Sequence, residues 1–199
     1  MKRVYALAAA CTFGLLLSAA PAHADGFVSP SIGVDFGGNA GSTLRGAANN
    51  SNKLNVGVSA GWMGAGVFGV EEDFSWAPNF FGSGGTTIDN TRVITLMTNL
   101  IAGIPVGGQS GAGVRPYVSA GVGLINQHVS SLSTTGGFSE NDFGFDLGAG
   151  VMGYFADHIG LRGDVRYFRS FQNTEANVVG LEVGHFAFYR ASVGVLFRF

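Results

Sequence analysis

The chain is 199 residues long, 46% hydrophobic and 12% charged, with 33 glycines and a formal net charge of −2, which is apolar and glycine-rich for one water-soluble domain. Its lone cysteine, Cys11, excludes a disulfide scaffold and a thiolate metal site. No basic stripe points to nucleic acid as a partner.

Residues 1–24 carry Lys2 and Arg3, an apolar run from Val4 to Leu17, and Ala22-His23-Ala24, the layout of a cleaved export signal. The expected plan is a signal peptide over 1–24 and one domain over 25–199. Removing Lys2 and Arg3 leaves nine basic against thirteen acidic residues, a mature net charge of −4. Beyond Ala24 no apolar run approaches the roughly 20 residues of a membrane helix.

Alternation takes the place of such a run, eight times over. In the first segment Val28, Pro30, Ile32, Val34 and Phe36 alternate with Ser29, Ser31, Gly33 and Asp35. In the second, Leu54, Val56, Val58, Ala60 and Trp62 alternate with Lys53, Asn55, Gly57, Ser59 and Gly61. The third sets Phe68, Val70, Phe74 and Trp76 against Gly69, Glu71, Asp73 and Ser75. Glu72 breaks its pattern and predicts a bulge or a place near the outer rim. The fourth has Ile94, Leu96, Leu100, Ala102 and Ile104 opposite Thr95, Met97, Asn99 and Gly103.

The fifth segment opens with Arg115-Pro116-Tyr117, and Val118, Ala120, Val122 and Leu124 then alternate with Ser119, Gly121 and Gly123. The sixth sets Phe143, Phe145, Leu147, Ala149 and Val151 against Gly144, Asp146, Gly148, Gly150 and Met152. The seventh sets Ile159, Leu161, Gly163, Val165 and Tyr167 against Arg162, Asp164, Arg166 and Phe168. Long polar connections, Gly37 to Asn52, Ala77 to Thr91, Gln127 to Asn141 and Arg169 to Val183, follow the odd segments, and short turns follow the even ones.

An even number of tilted strands with short turns on one side and long loops on the other suits an all-β, eight-stranded antiparallel up-and-down transmembrane β-barrel. Closure is required, because an open edge in lipid would leave backbone groups unpaired. A soluble barrel would place the large apolar residues inside. Here the alternate face combines glycines with charges, which suits a narrow lumen.

The final stretch, GHFAFYRASVGVLFRF, alternates Tyr189, Ala191, Val193, Val195, Phe197 and Phe199 with Arg190, Ser192, Gly194, Leu196 and Arg198. This ending resembles the closing strand of bacterial outer-membrane β-barrels. With Gly69-Val70-Glu71, Arg115-Pro116-Tyr117-Val118-Ser119-Ala120-Gly121-Val122-Gly123 and Gly148-Ala149-Gly150-Val151, the whole mature chain resembles the small eight-stranded, porin-like or opacity-type outer-membrane barrel family of Gram-negative bacteria. The resemblance implies the outer membrane as location and its lipid and lipopolysaccharide as surroundings. It implies that Tyr189, Val193, Val195, Phe197 and Phe199 form the signal read by the barrel-assembly machinery. Host or surface ligands would meet the long loops. The fold alone does not choose among pore, adhesin and anchor.

The facing assignment collects Asp35, Lys53, Glu71, Asp73, Asp146, Arg162, Asp164, Arg166 and Arg190 in the lumen, where paired charges form a polar plug. The expected role is structural or surface-interacting, with the lumen closed by this network; the alternatives are a narrow channel for small solutes and a lipid-modifying enzyme. Glu71 and Asp73, two apart, are expected to accept from Arg162 or Arg166 rather than serve as paired acids. For an enzyme, His128, Ser130 and Glu140 resemble only loosely the H-x-S of eight-stranded lipid A deacylases. His158 and His185 have no metal-ligand spacing, and Gly148 to Gly153 matches a dinucleotide fingerprint only by letter, inside a strand. No catalytic residue, cofactor or metal is therefore expected. Trp62, Trp76, Tyr154 and Tyr167, near strand ends, are expected in aromatic girdles, with Phe197 and Phe199 beside them.

Overall fold

The computed structural model describes residues 24–39, 53–64, 67–78, 88–107, 112–131, 138–171, 175–176, 181–182 and 186–199. The expected signal peptide up to residue 23, much of the long loops, and His185 lie outside the described residues. Of Ser130 and Glu140 only the backbone is described.

The strands are β1 (Ala24–Asn39), β2 (Lys53–Gly64), β3 (Phe68–Pro78), β4 (Ile88–Gly103), β5 (Gly113–Ser131), β6 (Phe138–Tyr154), β7 (Ile159–Ser170), the two-residue pair β8 (Glu175–Ala176) and β9 (Leu181–Glu182), and β10 (Ala187–Arg198). Eight of them close in the order β1-β10-β7-β6-β5-β4-β3-β2, every neighbour antiparallel, and β8 pairs with β9 apart from the barrel. The strands run further into the connections than the alternation predicts: β1 reaches Asn39, β4 begins at Ile88, β5 reaches Ser131 and β6 begins at Phe138. Backbone pairing needs no apolar side chains, so it continues after the hydrophobic pattern stops.

Closure joins the first strand to the last. Phe27 pairs with Arg198 and Val34 with Ala191, and Gly26 and Phe199 exchange backbone hydrogen bonds of 3.0 and 2.9 Å. The β1–β10 register passes from Val28 with Phe197 to Ser31 with Gly194. The gap falls at Pro30, which has no N–H to donate. At the long-loop end of this pair the register shifts between Phe36 and Asn39, where Gly37 takes a positive φ of 66°.

The short turns lie at the other end. Val67 N donates to Gly64 O at 3.2 Å between β2 and β3, Val106 after β4 exchanges bonds of 2.8 and 2.9 Å with Val114 at the start of β5, and Phe155 N donates to Ile159 O at 3.1 Å between β6 and β7.

The alternation resolves into two walls. Ile32, Leu54, Leu100, Val118, Leu147, Val165, Val193 and Phe197 stand exposed on the outer wall. So large an apolar surface requires lipid around it. Glu72 stands on that wall as well, but without a bulge: β3 pairs unbroken through it, with Ala60 of β2 on one side and Thr98 of β4 on the other. It is the fifth of the eleven residues of β3, away from either rim. The expected irregularity is thus corrected; Thr98 Oγ1 donates to Glu72 Oε1 at 2.8 Å and takes up part of its polarity.

Candidate functional site: a charged belt between two apolar plugs

The inner wall is filled in three layers. At the short-turn end Phe27, Met63, Ile101, Tyr117, Met152, Tyr154 and Leu196 form one buried cluster. At the long-loop end Ala77, Val93, Met97, Ile125, Phe168, Phe186 and Phe188 form another, with Phe168 and Phe188 stacked at 4.8 Å between ring centroids. The charges lie between them.

Glu71 is the hub of the belt. Its Oε2 accepts from Arg162 Nη1, and its Oε1 accepts from Arg166 Nη2 at 2.6 Å. Arg162 Nε donates to Tyr117 Oη at 2.7 Å and to Asp164 Oδ2 at 3.0 Å, while Tyr117 Oη donates to Asp164 Oδ2 at 2.7 Å and Ser192 Oγ to Asp164 Oδ1 at 2.7 Å. Arg166 also reaches Asp146 at 3.4 Å, Asp164 at 3.6 Å and Asp73 at 3.9 Å. With its amide turned to satisfy both ends, Asn99 donates to Asp146 Oδ1 at 2.6 Å and accepts from Arg166 Nη1 at 2.8 Å.

A second group joins through Asp73. Arg190 Nε donates to Asp35 Oδ1 at 2.8 Å, Asn55 Nδ2 donates to the same oxygen at 2.8 Å, and Arg190 Nη1 lies 3.7 Å from Asp73 Oδ1. Ser59 Oγ closes Asp73 Oδ2 at 2.8 Å. These groups are buried, so their charges interact with little solvent screening, and each charge would be costly without its partners.

The belt and the plugs share side-chain faces. The Arg162 guanidinium lies over Tyr117 at 4.9 Å and over Phe27 at 5.8 Å in the lower cluster, and that of Arg190 lies over Phe168 at 4.5 Å in the upper one. Arginine is suited to this double use, because its flat guanidinium stacks on rings while its edge N–H groups meet carboxylates. Glycine makes the room. A Cβ on Gly150 would lie 2.6 Å from Tyr117 Oη and 2.6 Å from Asp164 Cβ, and one on Gly121 would collide with the Asn99 amide.

Of the residues expected in the lumen, Asp35, Glu71, Asp73, Asp146, Arg162, Asp164, Arg166 and Arg190 come together in this one network. Lys53 does not: it is half-buried at the first residue of β2, and among the described residues no ion pair reaches it. Its position at the strand end leaves its amine within reach of water. Tyr154 is corrected as well. It is buried inside the barrel, 6% exposed, between Arg115 at 5.3 Å and Arg198 at 4.5 Å, and does not stand in an outer girdle. It shares the parity of Asp146 and Met152, a signal that placed it inside from the start.

Trp76 and Tyr167 lie on the outer wall, with Trp62 in register between Gly26 and Val70. Tyr189, Val193, Val195, Phe197 and Phe199 of the closing strand all face outward. The sequence reading passed over the size of the lumen residues. Phe27, Met63, Ile101, Ile125, Phe168, Phe188 and Leu196 are almost wholly buried there, beside the glycines and charges that the alternation predicts. Arg115 was passed over too; it lies 3.6 Å from Asp25 at the short-turn mouth. His128 is half-buried in β5, and no cluster among the described residues has the composition of a metal site.

Solved structures share this architecture. Neisserial surface protein A aligns at a TM-score of 0.64 with 16% identity, covering 87% of this chain and 97% of that one. The outer membrane protein OprG of Pseudomonas aeruginosa aligns at 0.62 with 13% identity, covering 89% and 96%. Ail, the attachment invasion locus protein of Yersinia pestis, solved in complex with the heparin analogue sucrose octasulfate, aligns at 0.55 with 13% identity, covering 89% and 99%. At these identities the likeness is one of fold. No curated protein sequence matches. The outer membrane protein beta-barrel domain matches residues 9–186, and the chain, an eight-stranded barrel of the outer membrane, belongs to that family.

Proposed function

We propose that this protein is a closed, non-conducting barrel that holds its long loops at the outer surface, where they carry a surface-interaction role. The observation that supports this reading is the three-layer lumen. A conducting path would have to displace an apolar cluster at each end as well as the ion pairs between them. Swapping partners within the belt alone would leave both plugs in place. Eight strands enclose only enough space for side chains, and here that space is occupied by phenylalanine, methionine and arginine.

In this reading the nine expected lumen residues serve rigidity, with Lys53 at their edge, and the chain carries out no reaction. Export through a signal peptide over 1–24 delivers it, and the outward residues of β10 that end on Phe199 present the assembly signal. Trp62, Trp76 and Tyr167 anchor the outer wall among lipid and lipopolysaccharide. The loops between β1 and β2, β3 and β4, β5 and β6, and β7 and β10 meet ligands or host surfaces; Ail, which shares the fold, was solved in complex with a heparin analogue.

Single-channel recording of the refolded chain, residues 25–199, in planar bilayers tests the reading. Silent bilayers containing folded, inserted protein are the expected result. A reproducible conductance step that changes in Arg162→Ala would overturn it in favour of a small-solute channel.

A further inference from the structure

Glu72 is polar in a place where lipid offers it nothing. It stands between the outward residues Val70 and Phe74 of β3, near the middle of the strand, on the wall that carries the exposed apolar belt. Thr98 Oγ1 supplies one hydrogen bond, to Oε1. Among the described residues no donor or acceptor meets Oε2. Acyl chains contain neither, and a polar group left unmet in hydrocarbon is costly.

We propose that Glu72 and Thr98 form the centre of a two-fold contact between two copies of this chain within the membrane. Three observations select this occupant. At mid-depth only another protein offers hydrogen bonds, and a second copy inserted the same way carries its own Glu72 at the same depth. A protonated carboxyl has one donor and one acceptor and is therefore self-complementary across a two-fold axis. Across the ladder from Glu72 stand Ala60 and Thr98, both small, so the two walls approach closely there.

Outward rings stand on both halves of the barrel; Phe74 and Trp76 share β3 with Glu72. A chain of outward rings runs from Phe36 on β1 to Tyr189 on β10 at 5.8 Å, to Tyr167 on β7 at 5.1 Å, to Phe145 on β6 at 6.3 Å, and on to Phe171 at 5.5 Å. Such rings settle at the membrane interface. β1, β10, β7 and β6 make up one half of the closed order, and β3 lies four strands from β7, diametrically across. The contact therefore goes beyond the loop-based role and uses a separate surface.

Cysteine cross-linking in intact membranes tests it. Ala60→Cys and Val165→Cys place a thiol beside Glu72 and on the far wall respectively, in the full chain, with the wild type as blank. A membrane-permeant bismaleimide should join two copies of Ala60→Cys and leave Val165→Cys monomeric. Adding Glu72→Leu to Ala60→Cys should lower the dimer at least tenfold, while Glu72→Gln, whose amide both donates and accepts, should retain it. Folding of each variant is read from its heat-modifiable mobility. Equal cross-linking at both sites, a folded Ala60→Cys protein that stays monomeric, an adduct with a different protein, or a dimer indifferent to Glu72→Leu would each overturn the proposal. Conductance is blind to this contact, so the failure of either reading is visible without the other.

Discussion

Glu71 and Glu72 are neighbours in the chain with the same side chain, and the pleat of β3 sends them to opposite walls. Glu71 is 1% exposed and held by two guanidinium groups, whereas Glu72 has a threonine hydroxyl on a wall of apolar side chains. Position in the closed barrel, and not residue type, sets what an acid does here. Inside, the acid holds two buried guanidinium groups that its loss would strand. Outside, it is a local cost that the barrel itself does not recover.

The largest effect should come from Glu71→Ala, which leaves Arg162 and Arg166 buried beside each other without their shared carboxylate. Reversible urea unfolding in lipid should show a loss of about 3–5 kcal/mol. A loss below about 1 kcal/mol would mean that the surrounding acids replace Glu71 and that it is no hub. Phe168→Ala comes next: it opens a cavity beneath Arg190 and beside Phe188, and about 3 kcal/mol should go with it in the same assay. Conductance of that variant should stay silent, since removing one plug leaves the belt intact.

A smaller change is expected from Tyr117→Phe, which removes the hydroxyl that links Arg162 to Asp164 while keeping the ring, at about 1–2 kcal/mol. Glu72→Leu should reverse the sign. In monomeric detergent-solubilised protein it should be neutral or gain about 1 kcal/mol, because a lipid-facing acid is replaced by a residue suited to the wall. If Glu72→Leu cost as much as Glu71→Ala, the distinction between the two walls would fail.

Much of this contrast is legible in the sequence. Period-two alternation places all nine expected residues on the lumen face, eight of which join the network, and the same parity marks Phe168 with Arg166, Phe188 with Arg190 and Leu196 with Arg198. What misled the reading was residue type. Tyrosine near a strand end suggested a girdle for Tyr154, though its parity placed it inside, and an acid on the apolar face suggested a bulge at Glu72. Lys53 has the parity of the lumen but lies at the end of β2, and parity carries no information about height along the barrel axis.

By local periodicity alone the sequence determined the eight barrel strands, the two faces of each and the end at which the long loops lie, but not the short β8–β9 pair within the last loop. Which arginine meets which acid was decided only by closure and stagger. Arg162 and Glu71 are separated by 91 positions and Arg190 and Asp35 by 155, and they meet because tilted strands wrapped into one ring bring distant residues to the same height. The layering of apolar, charged and apolar side chains has the same origin, since a level in the barrel is assembled from different points on eight strands.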